Sequence, residues 1–132
     1  MNIKDFRNQV WSFSVPYYEG KDIMHNVTHI KRVLDETDKL CVFYPEADKD
    51  IIYAAGCFHG FIYSDEDRIR TFLREIGISN EEISSIIKAA WESQTDGEPE
   101  TLEGKIAHDA HLLEGGKTFL VVKSLMTGTL RG

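Results

Sequence analysis

Histidines are the side chains of this sequence best suited to metal chemistry, and they fall in three short segments. In the first segment His25 and His29 are four residues apart, so they share one face of a predicted helix. Arg32 follows His29 by about one turn on that helix. Taken alone, such a histidine pair is more often a solvated or hydrogen-bonded surface pair than a metal site, so its meaning depends on what lies near it.

The second segment, residues 54–60, is the end of a very apolar stretch and contains a lone histidine, His59. Burying an imidazole requires a partner for each ring nitrogen, or a metal ion. A core histidine bonded to a backbone carbonyl is the ordinary explanation, and a metal ligand is the alternative.

The third segment, residues 101–114, places Asp109 between His108 and His111. The surrounding alanines and leucines indicate that part of this predicted helix is buried. An aspartate between two histidines in such a setting is difficult to explain as a solvated face.

Helices are the elements that must position these three segments. Apolar residues spaced by three or four predict a long helix from Ile23 to Cys41. Pro45 and Glu46 are expected to open the next helix, since proline fits a first helical turn. Apolar residues on every side of 51–58 mark that helix as central, and the alanines disfavour the competing interpretation as a buried strand.

Further helix boundaries are predicted by capping patterns. Ser64 with Asp67, and Ser79 with Glu82, have the spacing of capping boxes, and Gly77 falls where the helix between them should stop. The polar residues 94–99 predict a loop before a last helical stretch from about Thr101. The expected fold is therefore an all-α bundle of about five to six helices, forming one domain over residues 1–132.

The end of the sequence carries one more apolar segment, residues 119–126, after a break at Gly115 and Gly116. Its apolar face would need cover. We therefore expect the chain to form a homodimer through this segment, or to be the front part of a longer protein.

Charge and composition narrow the classes of partner. The sequence has 132 residues, 42% of them hydrophobic, and a formal net charge of −7. This charge opposes binding to a phosphate backbone, so no nucleic-acid partner is expected. No apolar run is long enough for a membrane span, and we expect a cytoplasmic protein. A phosphorylated small molecule can still bind where a metal ion supplies positive charge.

Taken in order, the three segments resemble the HD superfamily of metal-dependent phosphohydrolases. The resemblance makes His29 the first metal ligand, His59 the second and Asp109 the last. His25 matches the histidine before the first ligand, and Lys105 belongs to the run that precedes the last. It implies a helical HD-like bundle that binds one or two divalent ions, which activate water and polarise a phosphate ester.

The sequence departs from this pattern at the signature aspartate, which is replaced by Gly60. His108 and His111 are extra candidates for a replacement nitrogen ligand, and Glu92 for a carboxylate. Losing one carboxylate weakens binding of hard cations such as magnesium or manganese and favours iron, nickel, cobalt or zinc.

Two functions follow from these residues. The first is hydrolysis of a phosphomonoester or nucleotide by a metal-activated water, with Arg32 or Lys105 offsetting the charge that develops. The second is a catalytically inactive HD-fold module that binds a small molecule or assists assembly. Gly60 favours the second, and if it is the cause of weak activity, Gly60→Asp is expected to restore metal binding and turnover.

Overall fold

A computed structural model describes residues 5–19, 27–94 and 99–114. Within these ranges every regular element is a helix, which confirms the expected all-α fold of five to six helices. The helices are α1 Phe6–Tyr18, α2 Val27–Cys41, α3 Lys49–Phe58, α4 Ile62–Glu75, α5 Asn80–Glu92 and α6 Leu102–Glu114. His25 and the apolar segment 119–126 lie outside the described residues.

The third helix, α3, lies at the centre of the packing. It contacts α1, α2, α5 and α6, and its residues 54–58 are all buried. Ala54, Ala55 and Gly56 have small or no side chains, so neighbouring helices can approach closely. The prediction of a central buried helix over 51–58 is confirmed.

The start of α3 differs from the prediction. Residues 42–47 form turns, and the helix begins only at Lys49. Asp48 is the N-cap, and its Oδ1 accepts hydrogen bonds from the amides of Asp50 (3.0 Å) and Ile51 (3.2 Å). A capping carboxylate satisfies free N–H groups that proline cannot, so the helix starts at the aspartate and the predicted opening at Pro45 and Glu46 is wrong.

The boundary between α4 and α5 follows the sequence signals closely. Gly77 adopts a φ of 95°, a left-handed conformation that glycine reaches without strain, and the amide of Ile78 donates to the carbonyl of Leu73 at 3.0 Å. Ser79 then caps α5 by accepting from the amide of Glu82 at 3.2 Å. The predicted stop at Gly77 and the N-cap at Ser79 are confirmed, and the Glu82 carboxylate accepts a hydrogen bond from the Ser79 hydroxyl at 3.1 Å.

The other predicted capping box is wrong. Helix α4 already begins at Ile62, before Ser64, and its N-cap Phe61 makes no side-chain capping bond. Ser64 instead donates to the carboxylate of its neighbour Asp65 at 2.8 Å, where the backbone leaves helical geometry. The serine is thus engaged locally at a kink and does not start the helix.

The first helix, α1, was not among the predicted helices, and it contains a proline, which normally breaks a helix. Pro16 lies within α1, yet the helix continues to Tyr18. Every fourth residue is buried, and these are Phe6, Val10, Ser14 and Tyr18. Aromatic stacking also fixes this helix, with the rings of Tyr17 and Phe61 4.0 Å apart and those of Phe13 and Phe72 4.2 Å apart.

None of the helices in the described part of the chain is long and apolar enough to cross a membrane.

Candidate functional site

Three histidines from three helices meet in the interior of the bundle. His29 comes from α2, His59 follows the last residue of α3, and His111 comes from α6. The ring centroids of His59 and His111 lie 3.4 Å apart, and those of His29 and His111 lie 6.2 Å apart. All three residues are at least 90% buried, with exposures of 9%, 9% and 4% respectively. We call His29, His59 and His111 the histidine cluster.

Helix packing explains why these residues meet. The buried face of α2 includes Ile30 and Val33 beside His29, so the histidine is carried into the contact between α2 and α6. His59 lies where α3 ends against α5 and α6. Each histidine is therefore positioned by apolar contacts of its own helix.

Ser93 fixes the protonation of one ring nitrogen of His59. The Ser93 hydroxyl donates to the Ala90 carbonyl at 2.6 Å, which uses its only hydrogen. It must therefore accept the bond that joins it to His59 Nδ1 at 2.9 Å. Nδ1 of His59 thus carries a hydrogen, and in the neutral ring the lone pair lies on Nε2.

His111 is oriented in the same way. Its Nδ1 lies 3.0 Å from the Ala107 carbonyl, which can only accept, so Nδ1 carries the hydrogen. Its Nε2 is buried and holds the lone pair of the neutral ring. A histidine whose second ring nitrogen donates to a backbone carbonyl or another acceptor is the usual form of a metal ligand in proteins.

The donor types fit a transition metal, but the rings are not arranged around one. Among the described residues, no group of three or more His, Cys, Asp or Glu side chains is placed to share an ion. The stacked rings of His59 and His111 are 25° from parallel, so their lone pairs do not converge. Two imidazoles on one tetrahedral ion have centroids about 5 Å apart, so binding would require these rings to separate.

Asp109, the expected last ligand, is not part of the histidine cluster. It precedes His111 by two residues, which is about 200° around a helix, and such residues do not face each other. Its side chain is 34% exposed, and its Oδ1 lies 3.6 Å from Nδ1 of His108. The ring of His111 does meet those of His29 and His59, and the assignment of Asp109 as a ligand stays a prediction.

The two candidate catalytic cations lie at different distances from the cluster along their helices. Arg32 is exposed and follows His29 by about one turn of α2. Lys105 is exposed and precedes His111 by about 9 Å along α6. Measured along its own helix, Arg32 is therefore nearer to a histidine of the cluster than Lys105 is.

Gly60 stands where the signature aspartate is expected, and Tyr18 of α1 occupies the space that a side chain at this position would take. A Cβ atom on Gly60 would lie 2.5 Å from Cε1 of Tyr18 and 2.8 Å from its hydroxyl oxygen. The Tyr18 hydroxyl donates to the Cys57 carbonyl at 2.6 Å and accepts from the Gly60 amide at 2.9 Å. A tyrosine from a helix that the sequence did not predict thus takes the space of a carboxylate.

The carboxylates of Glu92 and Glu103 have structural partners. Glu92 accepts from the amide of Glu100 at 2.8 Å and from the hydroxyl of Thr101 at 2.5 Å, just before α6 begins. Glu103 accepts from the amide of Asp48 at 2.9 Å, which ties α6 to the start of α3. Neither bond places a carboxylate among the three histidines.

No family model, curated protein or solved structure matches this chain. The interpretation of the site therefore depends on the residues and distances given above.

Proposed function

We propose that this chain is an HD-like helical domain that binds a divalent transition-metal ion through His29, His59 and His111 and hydrolyses a phosphomonoester or nucleotide. The observation that carries the proposal is the meeting of three buried imidazoles from α2, α3 and α6. A shared ion would give the three buried rings a common partner once the rings of His59 and His111 separate to admit it.

The donor set supports an open metal site. Three histidines without a carboxylate suit zinc, cobalt, nickel or iron better than magnesium. Three protein ligands leave a coordination position for water, and a bound ion of this kind lowers the pKa of that water and polarises a phosphate oxygen. This chemistry is the one that the resemblance to the HD superfamily implies.

Other groups of this chain would orient the metal-binding rings and bind the phosphate group. The Ser93 hydroxyl and the Ala107 carbonyl accept hydrogen bonds from Nδ1 of His59 and His111, so Nε2 is the nitrogen of each ring that would bind an ion. Arg32, exposed about one turn from His29, is the cation best placed to bind a phosphate group. The proposed partner is accordingly a phosphorylated small molecule.

A catalytically inactive module is the second candidate, and one observation favours it. Tyr18 occupies the space of the signature carboxylate at Gly60, and Asp109 lies about 200° from His111 around α6. A site without any carboxylate would bind metal more weakly than an HD phosphohydrolase does. Metal binding without turnover is the outcome that this candidate predicts.

The test begins with the full chain, stripped of metal and titrated separately with Zn²⁺, Co²⁺, Ni²⁺, Fe²⁺ and Mn²⁺. Each loaded form is then assayed for phosphate release from p-nitrophenyl phosphate and from a panel of nucleotides. Stoichiometric binding with turnover that His59→Ala and Arg32→Ala both reduce supports the hydrolase. Binding without turnover supports the inactive module, and no binding by any of the ions rejects the metal centre.

A further inference from the structure

The turn that joins α2 to α3 exposes two apolar side chains that are neighbours in the chain. Val42 is 76% exposed and Phe43 is 75% exposed. The other exposed large hydrophobic residues of the described chain are Tyr63 and Trp91, whose rings carry a polar group, and the indole of Trp91 donates to Glu66 at 2.7 Å. Val42 and Phe43 have no polar side-chain atom, so their exposure to water is unfavourable.

A second, smaller core lies at the same end of the bundle, where α2 ends and where α3 and α6 begin. Its buried members are Cys41, Ala47, Ile52 and Ile106, and the apolar side chains packed against them are only partly buried. Val42 and Phe43 directly follow the first of these residues. Neighbouring apolar residues that stay exposed beside a core mark a surface that another apolar segment can cover.

Residues 119–126, outside the described part of the chain, have the composition to cover this surface. Six of these eight residues are apolar, and only Lys123 is charged. Such a segment is itself unfavourable in water, for the same reason as Val42 and Phe43. One contact between them would remove both apolar surfaces from solvent.

The chain is long enough to make this contact. Helix α6 ends at Glu114, at the end of the bundle where the ring of His111 meets that of His29. Phe43 follows the opposite end of α2, so it lies about 20 Å from His29. Residues 115–126 span up to about 40 Å when extended, and Gly115 and Gly116 permit the reversal of direction that this path requires.

A second copy of the chain is a weaker candidate than the chain's own segment. A phenylalanine side chain buries about 150–250 Å² at most, so Val42 and Phe43 offer far less than the roughly 600–1,000 Å² that each partner of a specific interface contributes. Residues 115–118 also hold the segment close to its own bundle, at an effective concentration of about millimolar. The intramolecular contact is therefore favoured over the same contact between copies.

We propose that residues 119–126 fold back along the bundle and cover Val42 and Phe43 of the same chain, which completes the small core beside the α2–α3 turn. This contact goes beyond the proposed function and does not depend on metal binding. It makes Phe43 a buried, stabilising residue of the full chain.

The experiment places the photo-crosslinking residue p-benzoylphenylalanine at position 43 of the full chain. The matched control has it at position 63, because Tyr63 is also an exposed aromatic residue but lies on α4. An equal mixture of unlabelled and ¹⁵N-labelled protein is irradiated, and mass spectrometry identifies each joined peptide and whether both parts come from one copy. We expect position 43 to join residues 119–126 of the same copy, and position 63 not to join them.

Three outcomes of this experiment would overturn the proposal. Joined peptides from two copies would show a dimer contact at this surface. Joining to residues 1–4 would show that the start of the chain covers it, since α1 begins near α3, where Arg7 binds Asp50 at 3.1 Å. The absence of any cross-link from position 43 to a segment outside the described residues would show that the pair stays exposed.

A second measurement compares Phe43→Ala with the matched control Tyr63→Ala by urea unfolding of the full chain. If residues 119–126 cover Phe43, its truncation should lower the urea midpoint by on the order of 0.5 M or more, whereas Tyr63→Ala should leave the midpoint nearly unchanged. A residue that is 75% exposed and has no cover contributes little to stability. Equal midpoints for Phe43→Ala and the wild type would therefore also overturn the proposal.

Discussion

The imidazole rings of His59 and His111 stack on each other, with centroids 3.4 Å apart and planes inclined by 25°. One ring belongs to the end of α3 and the other to α6, so this contact joins the central helix to the last described one. Both rings carry a hydrogen on Nδ1, given the acceptors at Ser93 and Ala107. Nε2 is therefore the atom of each ring that would coordinate an ion, but the two rings must separate before an ion can bind between them.

The first prediction tests whether His111 or Asp109 is the metal ligand that α6 provides. His111→Ala should abolish stoichiometric uptake of Zn²⁺ or Co²⁺, because it removes one of the three meeting imidazoles. Asp109→Asn should retain uptake, since its side chain is 34% exposed and lies about 200° from His111 around α6. Isothermal titration of both variants measures the difference. Loss of uptake in Asp109→Asn alone would restore the assignment made from the resemblance.

The second prediction reverses an expectation drawn from the sequence. Gly60→Asp should lower the free energy of unfolding by about 3 kcal/mol or more, because its Cβ collides with the Tyr18 ring and its carboxylate is buried. Urea unfolding with and without Mn²⁺ gives the measurement. The double variant Tyr18→Ala with Gly60→Asp serves as the control, since removing the ring should recover part of the loss. A stable single variant that gains Mn²⁺ binding would contradict the structure around Tyr18.

The third prediction concerns the link between α5 and α6. Glu92→Ala should destabilise the chain by about 1–2 kcal/mol, because the amide of Glu100 and the hydroxyl of Thr101 lose their acceptor. Glu75→Ala, at the exposed end of α4, is the matched control and should change stability by no more than about 0.5 kcal/mol. Urea denaturation followed by circular dichroism compares them. Equal stability of the two variants would show that this link contributes little.

The fourth prediction is a pH dependence at the contact between α4 and α5. Hydrogen bonds from Arg70 and Trp91 lower the pKa of Glu66 below its ordinary value of 4.5. A carboxylate with a lowered folded-state pKa stabilises the fold above that ordinary value, and the contribution disappears as the pH falls through the folded-state pKa. Glu66→Gln should therefore lose part of the stability difference between neutral pH and about pH 3.

This effect should be small, because the Glu66 side chain is 33% exposed and solvent screens it. Melting temperatures measured from pH 7 to about 3 test it. Asp67→Asn is the control, since Asp67 is exposed next to Glu66 on the same helix. A Glu66→Gln curve that coincides with the wild-type curve after a constant offset would rule out the linkage.

The fifth prediction concerns thiol reactivity. Burial raises the pKa of the Cys57 thiol to about 12, and its side chain has no exposed area. Because the thiolate is the reactive form, Cys57 should not react with iodoacetamide in the native protein and should react fully in urea. Mass spectrometry of peptides after timed labelling measures this. The Cys57→Ser variant identifies the signal that belongs to this residue, and rapid native labelling would show that the end of α3 opens.

Local signals in the sequence determined most of the helical boundaries. Ser79 caps α5 and Gly77 ends α4 as predicted, because hydroxyl capping and a positive φ depend on only a few neighbouring residues. The start of α3 was predicted wrongly because two local signals compete there, namely Pro45 and the capping carboxylate of Asp48. Helix α1 was not predicted from the sequence. Pro16 is a local signal against a helix, and the packing of the buried face of α1 outweighs that signal.

The sequence alone determined which residue types could bind a metal, and that they lie on helices. Only the tertiary structure brings the ring of His111 to those of His29 and His59. Side chains two positions apart on one helix point in nearly opposite directions. Helix α6 contacts α2, α3 and α5, so its apolar pattern does not mark a single inner face. Likewise, no residue near Gly60 in the sequence predicts its contact with Tyr18, because that contact forms only when α1 packs against α3.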